Sequence, residues 1–117
     1  MEDKKISERS YEFALRIFKL CKYLERDGAF GIIVKQLLKS GTSIGANVEE
    51  ALGGQSKKDF IAKMSIAYKE ARETNYWLRL TRDTETISSD RITELIEESE
   101  QILKILSSIL ITSKRNP

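Results

Sequence analysis

The sequence contains no histidine, one cysteine and one proline in 117 residues. Without histidine the chain lacks the usual general base of neutral-pH catalysis, the commonest nitrogen ligand for transition metals, and any Ser-His or Cys-His nucleophile pair. No residue pattern points to catalysis, and no cofactor or metal is expected. Cys21 has no partner for an internal disulfide. It sits among Ile17, Leu20 and Leu24 at helical spacing, which reads as a small buried core residue, because a reactive thiol would want a base beside it. The only proline is Pro117, so the rest of the chain is free of the strongest helix breaker and permits long helices. No apolar run approaches the roughly 18 residues of a membrane span. Met1 to Lys5 is not followed by the apolar segment of a secretory signal. A cytoplasmic protein without membrane contact is expected.

What is present is a charge-rich but core-forming composition, 40% apolar and 32% charged, with a net charge of +2. That length and balance suit one folded domain, stable without staples. A charge so near neutrality leaves any nucleic-acid role to the placement of charges.

Apolar spacing predicts four helices, over about 7–27, 30–52, 57–83 and 89–112. Phe13, Ala14, Ile17, Phe18, Cys21 and Leu24 form the first stripe, with Ser7 as its cap and Gly28 as its stop. The second helix runs through Ser40-Gly41-Thr42-Ser43-Ile44-Gly45, a composition that also fits a break at Ser40-Gly41. A continuous helix is preferred, its small residues letting a neighbour approach. Gly53-Gly54 ends it. Ser56 and Asp59 resemble a capping box at the start of the third helix. Its core stripe is Phe60, Met64, Ala67, Ala71, Thr74 and Leu78. Ser88 or Ser89 caps the fourth, where Ile92, Leu95, Ile96, Ser99, Ile102, Leu103, Leu106, Ile109 and Leu110 follow a near-heptad seam. The tail from Ser113 is expected to fray. Short connections favour antiparallel neighbours, hence an all-α, up-down-up-down four-helix bundle.

Two polar constellations stand out. Asn47 and Glu50 lie one turn apart, as do Glu70 and Glu73. Bundles can hold two metal ions on facing carboxylates, but the usual version adds histidine three residues after glutamate. A structural polar layer of Asn47, Glu50 and Glu73, or an exposed charged face, is the preferred reading. The glycines do not make a phosphate loop, since the Gly-x-x-x-x-Gly-Lys-Ser/Thr pattern and its preceding strand are both missing.

The third helix carries seven basic residues against three acids between Lys57 and Arg82. Ser65, Lys69, Arg72, Tyr76 and Arg79 recur at steps of three and four, so they share a face opposite the core stripe. Lysine and arginine can neutralise phosphates and tyrosine can stack on an unpaired base. The same stripe also reads as a solvated helix face with Glu73 as counterion. Consecutive apolar residues, Ile32-Ile33-Val34, Ile105 beside Leu106 and Ile111 beside Leu110, cannot all face one core. Some must be exposed or covered by another subunit, which points to self-association.

The run Gln36-Leu37-Leu38-Lys39-Ser40-Gly41-Thr42-Ser43-Ile44-Gly45-Ala46-Asn47-Val48-Glu49-Glu50-Ala51 is similar to a bacterial four-helix-bundle family that includes proteins encoded in intervening sequences of 23S ribosomal RNA genes. That family shows Gln-Leu, Arg-Ala, Ser-Ile, then Asn-Ile-Ala-Glu-Gly. Here Lys39-Ser40 replaces Arg-Ala, and Ala51 stands where the glycine falls. Ser56 to Phe60, Ile66-Ala67, Glu70-Ala71, Glu73-Thr74 and Trp77-Leu78 extend the resemblance, which spans about Tyr11 to Thr112. It implies an antiparallel bundle, a continuous second helix and a cyclic homo-oligomer, a pentamer. Related bundles include the accessory protein of diversity-generating retroelements, which works with a reverse transcriptase and nucleic acid through a basic surface.

The expectation is therefore a non-enzymatic oligomeric protein that contacts structured RNA or DNA. The contact residues would be Lys39, Lys57, Lys58, Lys69, Arg72, Tyr76 and Arg79. The alternative is a protein-partner scaffold whose charges only keep it soluble.

Overall fold

The computed structural model describes residues 2–26, 31–84 and 90–116, with the side chains of 2–5 and 26 left aside. Four helices run in sequence: α1 (Glu2–Arg26), α2 (Gly31–Leu52), α3 (Lys57–Asp83) and α4 (Asp90–Arg115). Each packs on its chain neighbours, and α1 closes the square against α4. The pairings Gly45 to Ser10, Glu50 to Lys63, Asn75 to Ser99 and Arg9 to Glu98 make every adjacent pair antiparallel. The result is the up-down-up-down bundle expected from the sequence, 49 Å long and 20 Å across.

The predicted seams form the core. Met64, Ala67, Ala71 and Leu78 of α3 and Leu95, Ile102 and Leu106 of α4 are fully buried. Phe60 is half-buried at the edge. Phe18 departs from its expected core place: it is exposed, because Ile17 and Cys21 fill the inward positions and Phe18 follows 100° round the helix from Ile17.

The helix ends sharpen the expected limits. α1 begins at Glu2, so Ser7 lies inside the helix and does not cap it. Ile6 is buried, and its packing extends the helix upstream of the capping signal. Gly28, Phe30, Ser88 and Ser89 lie outside the described residues. α2 is one helix through both glycines. The hydroxyls of Ser40, Thr42 and Ser43 donate to the carbonyls of Gln36, Leu38 and Lys39 at 2.8, 2.7 and 2.6 Å, which satisfies these polar groups on their own helix. The chain turns at Gly53-Gly54, whose amides donate to Glu49 and Ala51. Ser56 caps α3, its Oγ accepting from the Asp59 amide at 3.0 Å. α4 continues through Arg115 where fraying is expected from Ser113; basic Lys114 and Arg115 lie in its last turn, where the helix dipole favours them.

Gly41 sets the spacing of α1 and α2. A Cβ there would stand 2.8 Å from Ile17 Cγ2 and 3.2 Å from Ile17 Cβ. Only glycine fits this approach. No helix among the described residues is long and apolar enough to cross a membrane.

Candidate nucleic-acid interface

α3 turns Met64, Ala71 and Leu78 inward, and the same periodicity sends Lys69, Arg72, Tyr76 and Arg79 outward. All four are exposed, with Ser65 half-buried beside them. The expected stripe therefore exists as a continuous solvent-facing surface. Lys57 and Lys58 lie at its start, where they share an open groove with Ile61 of α3 and Ser113 and Lys114 of α4.

Part of the stripe is held from beneath. Arg79 Nε donates to Asn75 Oδ1 at 2.8 Å, and Asn75 Nδ2 donates to Ser99 Oγ at 2.9 Å. Ser99 in turn donates to the Ile96 carbonyl at 2.7 Å. Asn75 and Ser99 are buried, so this chain carries polar order from the α3–α4 interface to a surface guanidinium. That guanidinium stands 6.0 Å from the centroid of the Tyr76 ring, within reach of a cation–π attraction. Tyr76 meets Trp77 edge to face, centroids 5.1 Å apart. Tyr76 and Arg79 are thus placed as a pair, with one face of the surface anchored by Asn75.

Lys39 lies on the neighbouring helix α2, and its charge acts with that of Lys69 on Glu70, whose carboxyl is nevertheless held above its ordinary value by burial and by Glu73. The expected polar layer does not assemble. Asn47 Nδ2 donates to Ser43 O on its own helix at 2.8 Å. Glu50 pairs with Lys63 at 2.8 Å on the exposed α2–α3 edge. Glu73 accepts from Trp77 Nε1 at 3.1 Å. Each turns to a separate partner because Glu50 and Glu73 are on outer faces. A buried side-chain hydrogen bond between helices is instead made by Asn75 of α3 and Ser99 of α4. Among the described residues no cluster of three His, Cys, Asp or Glu side chains could hold a metal ion.

The sequence reading missed the share of α4. Lys104 and Lys114 border the grooves beside α3, with Tyr68, Ser107 and Ile111 between them. The signal was available: no acid follows Glu100, a bias also explained by the helix dipole. Also missed was an exposed apolar stripe on α1, where Tyr11, Leu15 and Phe18 are 64%, 46% and 51% exposed.

The family model of the 23S rRNA-intervening sequence protein matches residues 2–108. The chain belongs to this family. Among solved structures it is similar to a protein of unknown function from the S23 ribosomal protein family of Bacteroides thetaiotaomicron. The two are 46% identical, with a TM-score of 0.88, covering 94% of this chain and 98% of that one. No curated protein matches. In the Gln36–Ala51 run, Leu37, Ser40, Gly41, Ile44, Val48 and Ala51 form the buried side, and Gly41 lies directly against Ile17 of α1.

Proposed function

We propose that this family member is a non-enzymatic, self-associating cytoplasmic protein that contacts structured RNA or DNA through the exposed basic face of α3. The carrying observation is the stripe of Lys69, Arg72, Tyr76 and Arg79, continued by Lys57 and Lys58 and flanked by Lys104 and Lys114 of α4. Long cationic side chains on one face meet a phosphate backbone without requiring a deep cleft. Glu73 and Asp83 engage Trp77 and Arg82, and none of Lys57, Lys58, Lys69, Arg72 and Arg79 has a carboxylate partner within ion-pair distance among the described residues. The family's association with ribosomal RNA genes makes rRNA fragments the first probes. Mobility-shift titrations against rRNA fragments and duplex DNA across a salt series test the reading. Binding should weaken steeply with salt, and absence of binding at low salt would overturn it.

The apolar stripe Tyr11–Leu15–Phe18 supports the self-association. Its three side chains lie on one face at steps of four and three, away from α3. Burial of such a stripe against another copy removes apolar surface from water. Light scattering should give an assembly several times the 13.4 kDa chain mass, a pentamer on the family resemblance, and Leu15→Glu with Phe18→Glu should dissociate it. A scaffold for another protein is the competing reading of the same stripe, favoured if a protein partner survives nuclease treatment in a pull-down and is lost in the double variant.

A further inference from the structure

We infer that the groove between α3 and α4 takes an unpaired nucleic-acid strand, its phosphates on Lys69, Lys104 and Lys114 and a base against Tyr68 and Ile111. The inference rests on the proposed basic-face reading and names the form of nucleic acid that the surface accepts. Two open hollows, about 480 and 390 Å³, share Tyr68, Ser107 and Ile111 as lining, so they are parts of one groove. No carboxylate lines either part. The three lysines supply the charge, and Ser107 supplies a hydroxyl for hydrogen bonding.

The floor decides between strand and duplex. Ile111 is 56% exposed, and Tyr68 is half-buried beside it with its ring packed on the core. A duplex offers phosphates on its outside and keeps its base faces stacked within, so it would leave this apolar floor wet. An unpaired strand can place a base face there, and stacking on an aromatic side chain contributes about 1–3 kcal/mol per base in strand-binding proteins. An acidic peptide would satisfy the lysines, but its carboxylate side chains have no flat apolar face for the floor.

The experiment is fluorescence anisotropy on the full chain with a labelled RNA of about 12 nucleotides, DNA of the same sequence, and the corresponding blunt duplex. We expect the single strands to bind about tenfold more tightly than the duplex. Ile111→Ala should weaken single-strand binding several-fold and leave duplex binding unchanged; because Ile111 is exposed, an unchanged circular-dichroism melt is expected and checks the fold. Lys104→Glu with Lys114→Glu should cost at least about tenfold for the single strands. RNA tighter than DNA would point to the ribose hydroxyl as a Ser107 partner, and equal affinity to the shared phosphodiester strand; both support the groove. Duplex binding equal to or tighter than single-strand binding, lost in Arg72→Glu with Arg79→Glu but not in Ile111→Ala, would overturn the groove while leaving the basic face intact. Polyglutamate competing as well as unlabelled RNA at equal charge would assign the groove to acidic chains and overturn it. No binding of any probe at low salt would overturn both readings.

Discussion

Gly41 of α2 rests directly on Ile17 of α1: a Cβ added at Gly41 would lie 2.8 Å from Ile17 Cγ2 and 3.0 Å from Cγ1. Ile17 is fully buried and branched at Cβ, so it cannot swing aside into solvent. Gly45, one turn on, is different. Its added Cβ would meet Ser10 at 3.4 Å, an ordinary contact. The two glycines should therefore respond with opposite signs. Gly41→Ala is expected to destabilise by about 1–3 kcal/mol through overpacking. Gly45→Ala is expected to be neutral or to stabilise by up to about 1 kcal/mol, since alanine favours the helix. Urea unfolding of both variants checks this, and equal losses would contradict the proposed spacing role of Gly41.

Asn75 and Ser99 should behave as a coupled pair. Asn75 is the buried link between the Arg79 guanidinium and the Ser99 hydroxyl. Asn75→Ala is expected to cost about 2 kcal/mol, and Ser99→Ala about 1–2 kcal/mol because it leaves the Asn75 amide without its acceptor. The double variant should lose less than the sum, and a double-mutant cycle reads the difference. Strict additivity would show that the bond contributes nothing.

Cys21 should be inert in the folded protein. Burial, reinforced by the nearby Glu25 carboxylate, pushes its thiol up to about 11, and Sγ lies 3.6 Å from the Val34 carbonyl. Thiol-reactive dye at pH 8 is expected to label it slowly in buffer and rapidly in denaturant. The folded state holds this proton more tightly than the unfolded chain. Its contribution is therefore fully present below pH 9 and is lost as pH rises from about 9 to 11. Over that window the wild type should lose stability faster than Cys21→Ala; parallel curves would contradict the shift.

Arg9 and Glu98 form the two-pronged link between α1 and α4, Nε to Oε2 at 3.0 Å and Nη2 to Oε1 at 2.7 Å. Hydrogen bonding to Glu98 raises the Arg9 guanidinium above its ordinary value despite partial burial. Arg9→Ala is expected to cost about 1 kcal/mol at low salt, discounted for partial exposure. The cost should shrink as salt screens the pair. Arg9→Lys should recover only part of it, since an ammonium cannot reproduce the fork. Thermal melts at two salt concentrations measure both effects.

Much of this protein is written in local patterns. The seams of α3 and α4, the stop at Gly53-Gly54 and the Ser56 cap follow from apolar spacing and backbone chemistry, because a helix exposes its periodicity to any reader of the chain. The α3 basic stripe was legible for the same reason, being the complement of a core stripe on one helix. What required the tertiary structure were relations between helices. Spacing put Phe18 in a stripe with Ile17, and only the position of α2 decided which of the two points inward. It grouped Asn47, Glu50 and Glu73 as polar residues, but the rotation of α2 and α3 sends Glu50 across to Lys63, leaves Glu73 on an outer face bonded to Trp77 of its own helix, and brings Asn75 to Ser99. The sequence by itself determined four amphipathic helices and a basic outer face on the third. The packing decided that Lys104 and Lys114 stand across a groove from Lys69, because side chains on different helices become neighbours only when interhelical rotation and register are set.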